Sequence, residues 1–245
     1  TISKDVDQWF ASVMSEIPDS PELTEITKSV GIDLGIKDFA VTSDAEIIND
    51  VVYKKHYKQV KKLQKQLSRK QKGSNNRNKA KMIFAKKHRQ IRRKKVDFLH
   101  KSSHSITKMS DLVIFENLNV KGMMQNRKLS KVIGQQSWSS FKLFVKQKME
   151  RKGGFVIDID RFFPSTKTCS CCGWVQNISL SDRLFVCENC KVEIPRDMNA
   201  AINIHVEGLR LIGLVKPEFK LAENPLSGNF SLKNSRYGSM KQEIF

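Results

Sequence analysis

Short apolar runs and longer stretches of helical period alternate along this chain, and their order predicts an α/β fold. Val30-Gly-Ile-Asp-Leu-Gly35, Phe39-Ala-Val-Thr-Ser43 and Glu46-Ile-Ile-Asn-Asp50 read as two or three strands joined by turns. Residues 54–109 read as a helical hairpin. Val60, Leu63 and Leu67 share one face, Val96, Leu99, Ser103 and Ile106 share another, and Gly73-Ser-Asn-Asn76 separates the two helices. Asp111-Leu-Val-Ile-Phe115 reads as a short buried strand. A helix over about Ser137 to Arg151 aligns Trp138, Phe141 and Val145 and stops at Gly153-Gly154; Phe155 to Phe162 is the next strand. Residues 165–194 are cysteine-bearing loops, residues 196–208 fit a last helix, and the tail from Pro217 is expected to be loosely ordered. Near the start, Trp9, Ala11, Val13 and Ser15 alternate with Phe10, Ser12, Met14 and Glu16 before Pro18-Asp-Ser-Pro21. This reads as one strand and a turn, and a lone strand is not a domain, so its partners are expected outside this sequence.

Composition narrows the class. Hydrophobic residues make up 39% of 245, enough for a real core, and no apolar run approaches the roughly 18 residues that suggest a membrane span. No signal peptide is read at the start, and an opening Thr1 in place of Met suggests part of a longer protein. The net charge of +19 has one source. Between Lys54 and Lys101 there are 20 Lys and Arg and a single acid, Asp97, while the other 24 bases are balanced by 24 acids. A solvated helical face is the ordinary reading of a charge run. A run this long and this poor in acids repels itself unless a polyanion lies against it, so nucleic-acid binding is expected. Lys86, Lys87, Arg89, Arg92, Arg93, Lys94 and Lys95 are its densest part and the candidate phosphate contacts.

Three acids stand in unusual places. Asp33 interrupts an apolar strand, Glu116 directly follows the strand ending in Phe115, and Asp197 opens a helix at Arg196-Asp-Met-Asn-Ala-Ala201. Singly each has a plain explanation: a turn acid, the start of a loop, an acid favoured by the helix dipole. Together they follow the layout of RNase H-like nucleases, with acids on a first strand, at the end of a later strand and on a late helix. A buried carboxylate is costly unless neutralised, and divalent cations such as Mg²⁺ or Mn²⁺ suit a few carboxylates plus water and phosphate. Two such ions can activate water and stabilise the leaving oxygen of a phosphodiester.

Cys169-Ser-Cys-Cys172-Gly and Cys187-Glu-Asn-Cys190 are two C-x₂-C knuckles with fourteen residues between them. Four thiolates suit a closed, structural Zn²⁺ site, and paired cysteines of this kind point to a reducing, cytoplasmic compartment. Cys169, Cys172, Cys187 and Cys190 are the expected ligands; Cys171 has no partner at x₂ spacing, because those positions hold Thr168 and Trp174. The histidines form no ligand cluster. No Walker loop, dinucleotide fingerprint or nucleophile elbow is present, so no small-molecule cofactor is expected.

Gly31-Ile-Asp-Leu-Gly35, Phe115-Glu-Asn-Leu-Asn119, the two cysteine knuckles and Arg196-Asp-Met-Asn-Ala-Ala-Ile-Asn203 resemble, in order, the successive motifs of TnpB-type (OrfB) insertion-sequence proteins, relatives of the type V CRISPR nucleases. The likeness covers roughly residues 28–210. It implies an RNA-guided, Mg²⁺-dependent DNA endonuclease acting near the nucleoid, with DNA and guide RNA as partners. It implies an RNase H-like (RuvC) domain with an inserted helical hairpin and an inserted four-cysteine zinc ribbon. It implies catalysis by Asp33, Glu116 and Asp197, with Arg196 and Asn199 in support. The implied order is a remnant of a preceding wedge domain at 1–27, nuclease at 28–165 with the basic hairpin at 54–109, ribbon at 166–194, a final nuclease helix at 195–212 and a tail at 213–245. Pro195 stands where the family often has another Asp, and the family's amino-terminal half has no counterpart here. Two other readings use the same residues: a nucleic-acid-binding module that cuts nothing, and a DNA strand-transferase.

Overall fold

The computed structural model describes residues 1–16, 25–49, 54–179 and 181–214, the side chains of Lys54 and Lys55 excepted. The turn expected at Pro18–Pro21 and the tail from Pro217 lie outside the described residues. The chain divides into two compact units, Thr1–Asp19 with Val51–Lys101, and Ser20–Asp50 with Ser102–Phe245.

In the first unit, β1 (Ile2–Asp5) and β2 (Gln8–Ala11) form an antiparallel hairpin with Ile2 opposite Ala11 and Asp5 opposite Gln8. The strand expected to lack a partner in this sequence therefore finds one in the residues just before it, and it ends at Ala11. The polar stretch Ser3-Lys-Asp5 hid the first strand, which exposes most of its side chains. Helices α1 (Lys54–Ser68) and α2 (Asn75–Met109) make the expected hairpin. Val60 and Ile91 are buried between them, with Tyr57 and Phe84 packed alongside. Arg77 braces the turn by donating to the carbonyls of Leu67, in the last turn of α1, and of Lys70, just beyond it, at 3.0 and 2.9 Å. The Ser74 hydroxyl accepts from the Arg77 N–H at 3.2 Å and caps α2.

The second unit is built on a five-stranded sheet. Its strands β3 (Ser29–Asp33), β4 (Ala40–Thr42), β5 (Ile47–Ile48), β6 (Leu112–Glu116) and β7 (Phe155–Ile159) lie in the order β5-β4-β3-β6-β7. The first three are antiparallel; β3, β6 and β7 run parallel, with Ile32 opposite Phe115 and Glu116 opposite Ile159. Parallel strands need crossovers. Two short helices, α3 (Val120–Met123) and α4 (Ser130–Gln136), followed by α5 (Trp138–Lys152), connect β6 to β7. Trp138, Phe141, Val145 and Met149 of α5 are buried, and Phe141 meets Phe39 and Phe115 edge to face. After β7 come the cysteine segment with β8 (Leu184–Val186) paired to β9 (Glu193–Pro195), and then α6 (Arg196–Leu211).

Helix α6 packs directly on the sheet because glycine lets it. A Cβ on Gly31 would overlap the Ala201 carbonyl and His205, and one on Gly208 would overlap the Ile114 side chain. The buried His205 Nε2 also shares a 2.7 Å hydrogen bond with the Ser29 hydroxyl. Leu112, Ile114, Ile159, Ile204 and Leu209 fill the space between helix and sheet. This contact fixes where the first turn of α6 emerges over the ends of β3 and β6.

Candidate active site and metal centre

Asp33 and Glu116 are the last residues of β3 and β6, neighbouring parallel strands, so both carboxylates lie at one edge of the sheet. Asp33 does not interrupt its strand, as the apolar run suggested; the chain leaves the sheet directly after it. Asp197 arrives from the first turn of α6. The three acids act on each other electrostatically. Asp33 retains a partial opening to solvent but is closely surrounded by protein. Burial, then repulsion from Asp197 and Glu116, push its carboxyl up to about 7, against the opposing charge of Arg196. Burial also raises Glu116, partly offset by Lys142.

Two cations frame this edge. Arg196 donates from Nε and Nη2 to Asp197 Oδ1 at 3.1 Å, so one carboxylate oxygen is held by its neighbour. Lys142, on α5, donates to Asp158 Oδ1 at 2.6 Å and to the Glu116 carbonyl at 3.4 Å, and lies over the Phe115 ring. Arg161 ties the loop after β7 to the Asn117 carbonyl at 3.3 Å. The sequence reading missed Lys142 and Arg161. Their signal is the strand register, which sets Asp158 beside Phe115, and that pairing is not readable from a lysine in a helix.

The raised Asp33 has a consequence for stability. A proton is bound more tightly in the folded protein than in the unfolded chain, so this group favours folding at low pH. That contribution is lost as the pH climbs from about 4 to about 7. At 1.36 kcal/mol for each pH unit the effect is of order 4 kcal/mol. Asp33→Asn should therefore stabilise the Mg²⁺-free protein at pH 7.5 and make little difference at pH 4, as read by denaturant unfolding of both proteins side by side. Equal stabilities at pH 7.5 would show that Asp33 is not held in a repulsive cluster.

The second centre is sulfur. Cys169, Cys172, Cys187 and Cys190 bring sulfurs that all lie within 4.8 Å of one another. Cys169 and Cys190 are 3.6 Å apart, as are Cys172 and Cys187. Tetrahedral zinc with bonds of about 2.3 Å holds its sulfurs about 3.8 Å apart, so the donor set and its spacing fit this ion. Without a cation four thiolates cannot coexist so closely. Burial pushes the Cys169 thiol up and Cys190 up to about 12; Cys172 falls to about 7 despite its own burial, because the Trp174 N–H and the Asn189 amide bond its sulfur. Cys171 stands outside the quartet and packs at the edge of the ribbon core around Phe185 and Ile194.

Asn199, one of the supporting residues that the resemblance implies, is fully buried with its amide turned to the segment around the first cysteine knuckle. Its Oδ1 accepts from the Ser170 N–H at 2.9 Å and its Nδ2 donates to the Thr168 carbonyl at 2.7 Å.

In the first unit the basic face of α2 is met by acids of the β1–β2 turn. Asp7 pairs with Lys86 at 2.7 Å and with Arg89 at 2.8 Å, and these partners hold its carboxyl down to about 2. Arg89 also donates to the Asp5 carbonyl at 2.7 Å, and Arg92 pairs with the Asp5 carboxylate. Arg93 bonds Gln8 and lies over the Phe10 ring. Lys87 donates to Gln90, and Lys94 meets His56. Of the seven expected phosphate contacts, four thus touch the amino-terminal hairpin.

These features define a mixed α/β protein with two acids ending neighbouring parallel strands, a third opening its last helix, and a cluster of four cysteines joined to that helix. No helix among the described residues is long and apolar enough to cross a membrane. Residues 12–127 match the OrfB family of IS605 elements, described as "Probable transposase", and residues 138–204 match the Cas12f1-like TNB domain. A Streptomyces pristinaespiralis protein named "Putative RNA-guided DNA endonuclease" is 35% identical over 212 residues, covering 85% of this chain and 52% of that one. The Escherichia coli protein named "Putative RNA-guided DNA endonuclease InsQ" is 27% identical over 224 residues, covering 85% of this chain and 56% of that one. The chain spans about half the length of these curated relatives. In fold it resembles a CRISPR-Cas12f ternary complex solved by cryo-EM, with a TM-score of 0.56 and 20% identity over 87% of this chain and 42% of that one. Over most of its length the chain is thus similar to the TnpB-type (OrfB) insertion-sequence proteins.

Proposed function

We propose that this chain is the cutting module of an RNA-guided DNA endonuclease, with Asp33, Glu116 and Asp197 as ligands of catalytic Mg²⁺ or Mn²⁺. The observation that carries the reading is geometric: Asp33 and Glu116 end neighbouring parallel strands, Asp197 lies in the first turn of the helix packed on β3, and the charges of Glu116 and Asp197 both reach Asp33. The sheet order, antiparallel on one side of β3 and parallel on the other, supports an RNase H-like (RuvC) domain with the hairpin at 54–109 and the ribbon at 166–194 as insertions. Bound divalent ions would supply the charge that activates the attacking water and stabilises the departing 3′ oxygen. The chain's own residues set the site for them. Arg196 holds one oxygen of Asp197 and leaves the other for a cation. Lys142 takes up Asp158, which keeps that nearby acid out of the cluster. The ribbon's thiolates would hold Zn²⁺ in a purely structural role, since four protein ligands leave no open position. The test is to sequence the RNA that copurifies with the protein and offer complementary DNA with Mg²⁺ or with chelator. Mg²⁺-dependent cleavage directed by that RNA supports the reading; guided binding without cleavage would replace it with a binding module.

The basic hairpin would hold nucleic-acid backbone, in competition with Asp5 and Asp7. Neutralising Lys86, Lys87, Arg92 and Arg93 should flatten the log–log salt dependence of duplex binding by about 0.9 per lost phosphate contact. Asp7→Asn, which frees Lys86 and Arg89, should instead steepen it. Unchanged slopes in both would make this face a solvated one.

A further inference from the structure

We propose that the cysteine ribbon sets the position of Asp197, and that Asn199 and Asn203 are the positioning residues that transmit it. The inference rests on the reading of Asp197 as a cation ligand. Helix α6 begins without a side-chain cap: its N-cap is Pro195, and no hydrogen bond from that residue's side chain fixes the first turn. Asp197 sits in that turn, two residues before Asn199. Both polar ends of the Asn199 amide are spent on the segment leading into the first cysteine knuckle. Its Oδ1 takes the Ser170 N–H at 2.9 Å, and its Nδ2 gives to the Thr168 carbonyl at 2.7 Å. One turn on, Asn203 Nδ2 donates to the carbonyls of Ser165 and Thr168 at 2.7 and 2.6 Å. Asn199 is fully buried and Asn203 nearly so. Ser170 lies between two of the quartet's cysteines, Cys169 and Cys172, so the backbone that Asn199 reads is the backbone the sulfur site shapes.

The geometry is specific to side-chain amides. A buried asparagine can accept from one peptide group and donate to the next, which pins helix and knuckle in a single register. An apolar residue of the same size would leave the Ser170 N–H buried without a partner. On its other flank α6 is fixed to the sheet through Gly31, Gly208 and the Ser29–His205 bond. Those contacts set the middle and the end of the helix. The asparagines set its beginning, which carries the acid.

The test uses the full chain purified with its zinc, with Mn²⁺ as the probe of the acid cluster and hydrogen exchange of residues 197–204 as a second readout. In the parent, stripping zinc with a zinc-selective chelator should weaken Mn²⁺ binding and speed exchange in this segment. Asn199→Ala should keep its zinc yet weaken Mn²⁺ binding about 5- to 30-fold, as expected for a lost buried hydrogen-bond pair. Removing zinc from that variant should then add little, the non-additive result of two changes on one path. Ser29→Ala, cut on the sheet side, should keep the parent's full response to zinc removal. Asn203→Ala, which removes only the donor to Ser165 and Thr168 and leaves the Asn199 bonds in place, should fall between parent and Asn199→Ala and covers the case in which the latter does not fold. Parent-like Mn²⁺ binding and exchange in Asn199→Ala, or a full zinc response persisting there, would overturn the proposal. If the parent binds no Mn²⁺ at the three acids, the nuclease reading fails, while the exchange arm still decides whether the ribbon clamps the helix.

Discussion

Asp33→Asn should abolish DNA cleavage by the RNA-loaded protein, by about 10³-fold or more, while leaving DNA binding unchanged or tighter. The site asks one residue to do two things. Asp33 must be ionised to hold a cation, yet burial and the charges of Asp197 and Glu116 keep it protonated up to about pH 7 when no cation is bound. A divalent ion bound there would resolve the conflict by replacing two repulsions with attraction to a common centre. Asparagine keeps the shape and removes the charge, so a bound ion would lose one of its three proposed carboxylate ligands. Several kcal/mol of charge stabilisation then disappear from the transition state, and each 1.36 kcal/mol is a factor of ten in rate. Binding is expected to hold because phosphate no longer meets an unneutralised carboxylate. The same exchange is expected to stabilise the metal-free fold at pH 7.5, and the unfolding measurement on the same variant separates loss of cleavage from loss of fold. Cleavage by Asp33→Asn at the parental rate would move the chemistry elsewhere, and a 3′-labelled strand joined to target DNA by the parent would favour strand transfer over hydrolysis.

The acids stood out in the sequence through local signals: Asp33 as a lone charge in an apolar run, Glu116 as the acid after an apolar strand, and Asp197 as the acid opening a helix. The cysteine ligands were legible for the same reason: x₂ spacing is a property of one turn, and Cys171 fails it on either side. What escaped depends on pairing across the chain. Asp33 ends β3 because β4 and β6 stop pairing there, which apolar composition cannot reveal. The first strand of the amino-terminal hairpin is polar and mostly exposed, so no alternation marks it. Helices α3 and α4 are too short for a helical period; the Asn119 side chain caps the first, and Ile133 and Gln136 bury the second. The basic run showed its charge but not its partners, because Asp7 and Arg89 are 82 positions apart in the sequence and meet only in the fold. The supporting role expected of Asn199 came from the family resemblance, which says nothing of where its amide points. Its side chain turns toward the ribbon, because one helical position sets a direction as well as a distance.

Cys187→Ser should release the zinc and unfold the ribbon, whereas Cys171→Ser should keep about one zinc per chain. The ribbon has little else to hold it. Its buried apolar side chains are few, with Phe185, Ile194 and Ile202 at the centre, and two of the buried residues around them are the ligands Cys169 and Cys187 themselves. Its strands are three residues each, far below what a hairpin needs to stand alone. Metal binding on the scale of about 10 kcal/mol or more therefore has to supply most of the ribbon's folding free energy. Cys187 is fully buried and lies 3.6 Å from Cys172, so a hydroxyl in its place leaves three thiolates around an ion that a neutral oxygen serves poorly. Cys171 lies outside the quartet, and its loss removes only packing at the ribbon's edge. Elemental analysis of protein purified under reducing conditions reads both outcomes, and near-ultraviolet spectra of Trp174 report whether the ribbon is still folded. A parent protein without zinc would remove the metal from this site, and loss of zinc from Cys171→Ser would exchange one of the four ligands for that residue.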